Sequence, residues 1–189
     1  MGKSSIKEPN IATIGTSIDL LLKSMEIINP ILIGFSYGGS VVLEIAKNIQ
    51  VKAIGIVVSG EFFSSWQKRL FKIIFYPSKY SKNIRKILSM IITKTGTVNF
   101  GGCNDCQLKE FGMRWNETLE YKLPDWKFEG KSLIVLANKD EIVSNTSTNK
   151  LLEIFPRAET FRYDLGHFGV LKMISQKDFS PVTTWLEEI

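Results

Sequence analysis

Residues 31–43 read ILIGFSYGGSVVL, and the fold can be worked outward from them. Ile31 to Phe35 is a short apolar run bounded by Pro30 and by the Ser36 to Gly39 turn cluster. Five residues suit a buried strand, since helices usually need about ten or more. From Gly38 onwards Val41, Val42, Leu43, Ile45 and Ala46 recur at helical spacing and fade near Asn48. Strand, tight turn and helix follow one another without slack.

The same signatures recur on both sides. Upstream, Thr16 with Asp19 three residues later predicts a helix cap. Ile18, Leu21, Leu22 and Met25 continue that helix until Asn29 and Pro30 break it. Downstream, residues 52–58 repeat the buried strand, 132–137 give a third and 160–163 a fourth. A helix is predicted near 149–155, and a closing helix from Pro181 with Ser180 as its cap. Near-continuous apolar strands separated by helices predict the α/β class, with a parallel sheet of about four strands flanked by helices. Chemistry in such sheets sits at the carboxyl ends of the strands.

Composition bounds the rest. A chain of 189 residues, 44% hydrophobic and 23% charged, suits one soluble domain over 1–189 and excludes disordered and collagen-like classes. No apolar run approaches the ~20 residues of a spanning helix, and Lys3, Lys7, Glu8 and Asp19 interrupt any signal-peptide block. The expected location is therefore cytoplasmic. Cys103 and Cys106 are too few for a disulfide framework, and with no second cysteine pair they do not make a zinc site.

Gly34, Ser36 and Gly38 form GxSxG between a strand and a helix, the setting in which a serine is held on a strained turn with its hydroxyl exposed. Side chains at the flanking positions are expected to clash with the neighbouring helix and strand, and glycine removes the clash. The N–H of Tyr37, at the positive end of the helix, is the expected oxyanion donor. Serine needs a base, and His167 is the single histidine, read as lying in a loop after the fourth strand. A carboxylate must orient that imidazole, and Asp140, three residues past the third strand, fits best, with Glu141 and then Asp164 as competitors.

With GFSYGG as the elbow, NKDEIV as the acid loop and GHF as the histidine loop, the chain resembles the α/β-hydrolase superfamily, of the serine esterase and lipase type. The resemblance implies Ser36 as nucleophile, Asp140 as acid, His167 as base, and a small acyl substrate. It implies no metal and no organic cofactor. It covers roughly residues 10–189 and only the later half of the usual fold. Few residues precede the elbow strand, and no His-Gly pair supplies a second oxyanion donor. Strand 31–35 is then expected to present an unpaired apolar edge, suited to a partner chain that completes the sheet. A fragment, a subunit and a decayed copy are the three explanations.

Residues 61–128 depart from the strand and helix alternation, with helices predicted around 67–76 and 82–92 and a Gly-rich polar stretch at 95–106. From Phe62 to Asn104 there are eight basic residues and no acidic one. Aromatics interleave with those charges, which suits first a lid over an apolar pocket, then a face drawn to anionic lipid. Nucleic acid is not an expected partner, since no recognised module accompanies the charge.

Overall fold

The order of the strands dictates which face of the sheet each helix covers. In the computed structural model, which describes residues 10–75, 81–94, 105–175 and 179–189, the chain begins with α1 (Ile11–Ser24), followed by β1 (Ile31–Phe35) and α2 (Tyr37–Ala46). Next come β2 (Ala53–Val57), α3 (Ser65–Phe75), α4 (Lys82–Lys94) and α5 (Asp105–Glu120). β3 (Lys131–Ala137), α6 (Asn145–Ile154), β4 (Glu159–Tyr163), α7 (His167–Ser175) and α8 (Ser180–Glu187) close it. All strands are parallel, in the order β1-β2-β3-β4. Crossovers that always step the same way put α2 and α6 on one face, where their side chains share one core.

That face holds the larger core. Ile11, Val42, Leu43, Ile54, Ile134, Leu151 and Phe155 pack there, joining α1, α2 and α6 to the sheet. Val57, Leu133, Val135, Val170, Val182 and Trp185 form the core of the other face, under α7 and α8. β2 is buried at every position, so its apolar residues run without alternation. β1 alternates instead: Leu32 is buried, while Ile31 and Ile33 are exposed.

The chain divides into two compact units. Residues 11–62 and 121–189 form the sheet unit, and the second centres on residues 63–120 with α3, α4 and α5. In the second unit α3 begins where Ser64 N and Oγ both donate to Gln67 Oε1. α5 packs on both α3 and α4.

Several boundaries differ from the sequence expectation. α1 starts six residues earlier than the Thr16 cap would have it, and Thr16 Oγ1 instead donates to Ala12 O inside the helix. α6 begins at Asn145, because Ser144 Oγ accepts from Ser147 N as its cap. α5 falls where the sequence reading had no helix, and so does α7. α8 is capped from Phe179, with Ser180 already inside it. Of the two cysteines, Cys106 lies in α5 and Cys103 lies outside the described residues, as does most of the Gly-rich stretch.

A carboxylate ties down the loop that leaves β2. Glu61 Oε1 accepts from Leu123 N at 3.1 Å and from Lys150 Nζ at 3.1 Å, and Oε2 accepts from Lys122 Nζ at 3.4 Å. Its own N–H donates to the buried Ser147 hydroxyl of α6. Burial pushes the Glu61 carboxyl up, but the hydrogen bonds from Lys150 and Leu123 and the charges of Lys150 and Lys122 outweigh it, leaving it below its ordinary 4.5. A depressed carboxyl contributes stability above its unfolded value, and loses it as the pH falls through the folded one. Urea unfolding of the wild type and Glu61→Gln across the acid range should therefore show a stability gap that is full above about pH 5 and closes further down. A gap that does not change with pH contradicts this clamp.

Candidate active site

Ser36 stands between β1 and α2 with φ 49° and ψ −122°, in the left-handed region that a residue with a Cβ avoids. Such a conformation costs on the order of 1–3 kcal/mol and persists only where its surroundings enforce it. The enforcement is close packing of strand on helix. A Cβ on Gly34 would overlap the Gly38 carbonyl, and one on Gly39 would lie 2.5 Å from Ser59 Cβ and Oγ. Ser36 N donates to Val57 O at 2.9 Å, which holds the turn to the neighbouring strand end. Gly38 departs from expectation, because a Cβ there meets nothing within 4 Å. The steric requirement falls on Gly34 and Gly39. Val58, just past β2, is likewise left-handed at φ 40°, although β-branched and buried. Next to it the fully buried Ser59 Oγ has no partner among the described residues.

The single histidine reaches this turn from across the sheet. His167 Nε2 lies 2.8 Å from Ser36 Oγ, and Nδ1 lies 3.0 Å from Asp140 Oδ2. An ionised carboxylate only accepts, so a ring with its hydrogen on Nδ1 donates to Asp140 and accepts a hydrogen bond from the Ser36 hydroxyl at Nε2. The imidazole is 2% exposed. The Phe35 and Phe168 rings pack on it at centroid distances of 5.7 and 5.4 Å. Asp140 divides its oxygens: Oδ1 accepts from the Ile142 and Val143 N–H groups at 2.8 Å each, leaving Oδ2 for the ring.

His167 is not a loop residue but the first residue of α7. Asn138 N donates to Tyr163 O and Lys139 N to Leu165 O, and Lys139 Nζ bonds Asp164 Oδ2 at 2.8 Å, so the acid loop and the histidine segment are joined along their length. Glu141, the first competitor for the acid role, points elsewhere: its Oε2 accepts the backbone N–H of His167 at 3.1 Å. A Cβ on Gly166 would lie 2.7 Å from that oxygen, so a larger residue there would displace the Glu141 carboxylate from its approach. Neighbouring carboxylates thus grip one residue twice, Asp140 by its ring and Glu141 by its main chain. The sequence reading missed this second role, whose only trace was a carboxylate beside Asp140. Asp164, the other competitor, is an exposed partner of Lys139.

Tyr37, the expected oxyanion donor, is the first residue of α2. Among the described residues no cluster of His, Cys, Asp and Glu could hold a metal ion. A polar cleft of about 490 Å³ between α6 and the ends of β3 and β4 includes Asn138, Asn149 and Arg162, but none of Ser36, Asp140 and His167.

No protein-family model and no curated protein matches the sequence. Solved structures do match the architecture. A hydrolase from Pseudomonas aeruginosa superposes with a TM-score of 0.71 at 12% identity, covering 98% of this chain and 76% of that one. An esterase from Exiguobacterium antarcticum gives 0.69 at 15% identity, covering 97% and 77%. MenH from S. aureus gives 0.68 at 15% identity, covering 99% and 79%. The chain has a partial α/β-hydrolase fold. Within the α/β-hydrolase sheet, Ser36, Asp140 and His167 all lie at or just beyond the carboxyl ends of β1, β3 and β4.

Two outcomes test this geometry. Gly34→Ala should destabilise the protein by about 1–3 kcal/mol through overpacking, while Gly38→Ala leaves the unfolding midpoint near wild type. Equal effects contradict the packing described. Because the chain has one histidine, its hydrogen-bonded Nδ1 proton is a single low-field NMR resonance. That signal should survive in Glu141→Gln, which keeps an acceptor for the His167 N–H, and be lost or broadened in Glu141→Ala. An unchanged signal in Glu141→Ala removes the positioning role of Glu141.

Proposed function

We propose that the chain is a serine hydrolase that cleaves a carboxylic ester or related acyl compound through an acyl-serine intermediate. The observation that carries this reading is the unbroken hydrogen-bonded line from Ser36 Oγ through both nitrogens of His167 to Asp140 Oδ2. Esterases among the structural neighbours support hydrolysis in general terms.

In this reading His167 Nε2 takes the Ser36 proton as Oγ attacks the substrate carbonyl, and a C–O bond forms to the acyl carbon. The resulting imidazolium is stabilised by Asp140, whose Oδ1 is held away by two main-chain N–H groups. Tyr37 N–H, at the positive end of α2, stabilises the tetrahedral oxyanion. His167 then returns the proton to the leaving alkoxide. Water, deprotonated by the same imidazole, attacks the acyl-serine, and the acid leaves as Ser36 regains its proton. Residues 61–128 serve as the lid in this reading.

A second reading is favoured by β1 itself. Among the described residues no strand pairs with its outer side, and Ile31 and Ile33 are exposed beside that edge. A subunit that receives a partner strand there fits this feature. Chemistry separates the two readings. A fluorophosphonate probe should label the wild type and fail to label Ser36→Ala. Asp140→Asn should lower turnover of a p-nitrophenyl ester by about 10⁴-fold, through loss of the productive tautomer. A folded wild type that neither labels nor hydrolyses the ester sinks the enzyme reading.

A further inference from the structure

Two helices of the second unit share one pattern of exposed apolar residues flanked by positive charge. On α3, Trp66, Leu70 and Ile73 recur at helical spacing, 66%, 46% and 73% exposed. Phe71, on another side of the helix, is packed ring to ring on Phe63 at 4.7 Å. Lys68, Arg69 and Lys72 fall between that packed side and the exposed stripe. α4 repeats the arrangement with Ile87 and Met90, 56% and 55% exposed, and with Lys82 and Lys86 exposed on the flank.

The charge balance is lopsided. Residues 63–120 hold ten Lys and Arg against four Asp and Glu, a formal +6, while the whole chain carries +5. All four acids lie on α5, and Glu120 bonds Lys72 at 3.1 Å in an exposed pair. α3 and α4 themselves carry no acid. Exposed Trp and Ile are costly in water, and a stripe of them is uncommon on a surface that meets only solvent. An anionic bilayer satisfies both halves of the pattern at once. Trp suits the headgroup level, Leu, Ile and Met enter the acyl boundary, and Lys and Arg meet the lipid charge. A nucleic acid would use the cations and stack on Trp66, but would leave Leu70, Ile73, Ile87 and Met90 in water.

We propose that α3 and α4 form a membrane-surface site that seats the protein on anionic phospholipid, lying on the bilayer without crossing it. This goes beyond the hydrolase reading and does not depend on Ser36.

Co-sedimentation of the full chain tests it, using vesicles of one part phosphatidylserine to three parts phosphatidylcholine and vesicles of phosphatidylcholine alone. The protein should pellet with the mixed vesicles, weakly with the neutral ones, and less as salt is raised. Binding should blue-shift the tryptophan emission, and that shift should vanish in Trp66→Phe. Arg69→Glu with Lys86→Glu should weaken binding at least about tenfold. Ile73→Asn should weaken it too, and since these positions are exposed, circular dichroism should show every variant folded. Ser36→Ala should bind as the wild type does, so loss of esterase activity and loss of lipid binding are separate results. Equal binding to neutral vesicles, no binding to either, or capture of an oligonucleotide in place of vesicles would each overturn the site.

Discussion

The imidazole of His167 is hydrogen-bonded at both nitrogens to side chains 131 and 27 residues away along the chain, and the candidate site exists only while both hydrogen bonds hold. A buried ring cannot swing to compensate for a displaced partner, so the sheet must deliver the partners to fixed places. In-phase register does this. Phe35 pairs with Val57 and Val57 with Val135, so the carboxyl ends of β1 and β2 are level and the loops beyond them leave at one edge. β3 and β4 run on together to Ala137 and Tyr163, which carries the acid loop and the start of α7 to that same edge. Phe62 bridges Val143 there, tying the loop after β2 to the acid loop.

What was legible in the sequence follows from which of these features are local. β1, β2 and β3 are legible because strands covered on both faces become short apolar runs. Ser36 is legible because a strained turn leaves a glycine pattern around it. His167 is legible by being the single histidine, and Asp140 by following a strand end. The helix that begins at His167 is not legible, since its first N–H is satisfied by Glu141, 26 residues away, and its Val170 is buried in a core built from other segments. Gly166 and Gly169 read locally as loop signals. In the fold Gly166 instead lies against the Glu141 carboxylate, whose oxygen a Cβ there would meet. α1 misled in the opposite direction, because a threonine that bonds back to Ala12 inside a helix has the same letter as one that caps it.

The glycines of the turn divide in a way that letters alone conceal. Gly34 and Gly39 bear the contacts that press β1, α2 and the end of β2 together, whereas Gly38 faces open space. The motif is therefore less a set of equal positions than two steric requirements with a tolerant residue between them. Ser59 belongs with this arrangement, although it is outside the motif, because its side chain is the atom group that Gly39 makes room for.

Strain at the turn has to be carried by an edge strand of the sheet. β1 is an edge with Ile31 and Ile33 exposed on one face, yet it bears Ser36 at φ 49°. Pairing with β2 alone would hold it on one side. Support comes from behind instead: Leu32 packs into the same core as Val41, Val42, Leu43 and Ile45 of α2, and α1 lies along α2. Each such side chain contributes roughly 1.5–3 kcal/mol on burial, so two of them outweigh the strain of one left-handed serine. The serine is thus held by its following helix as well as by its strand, and α1 bears on the turn through α2.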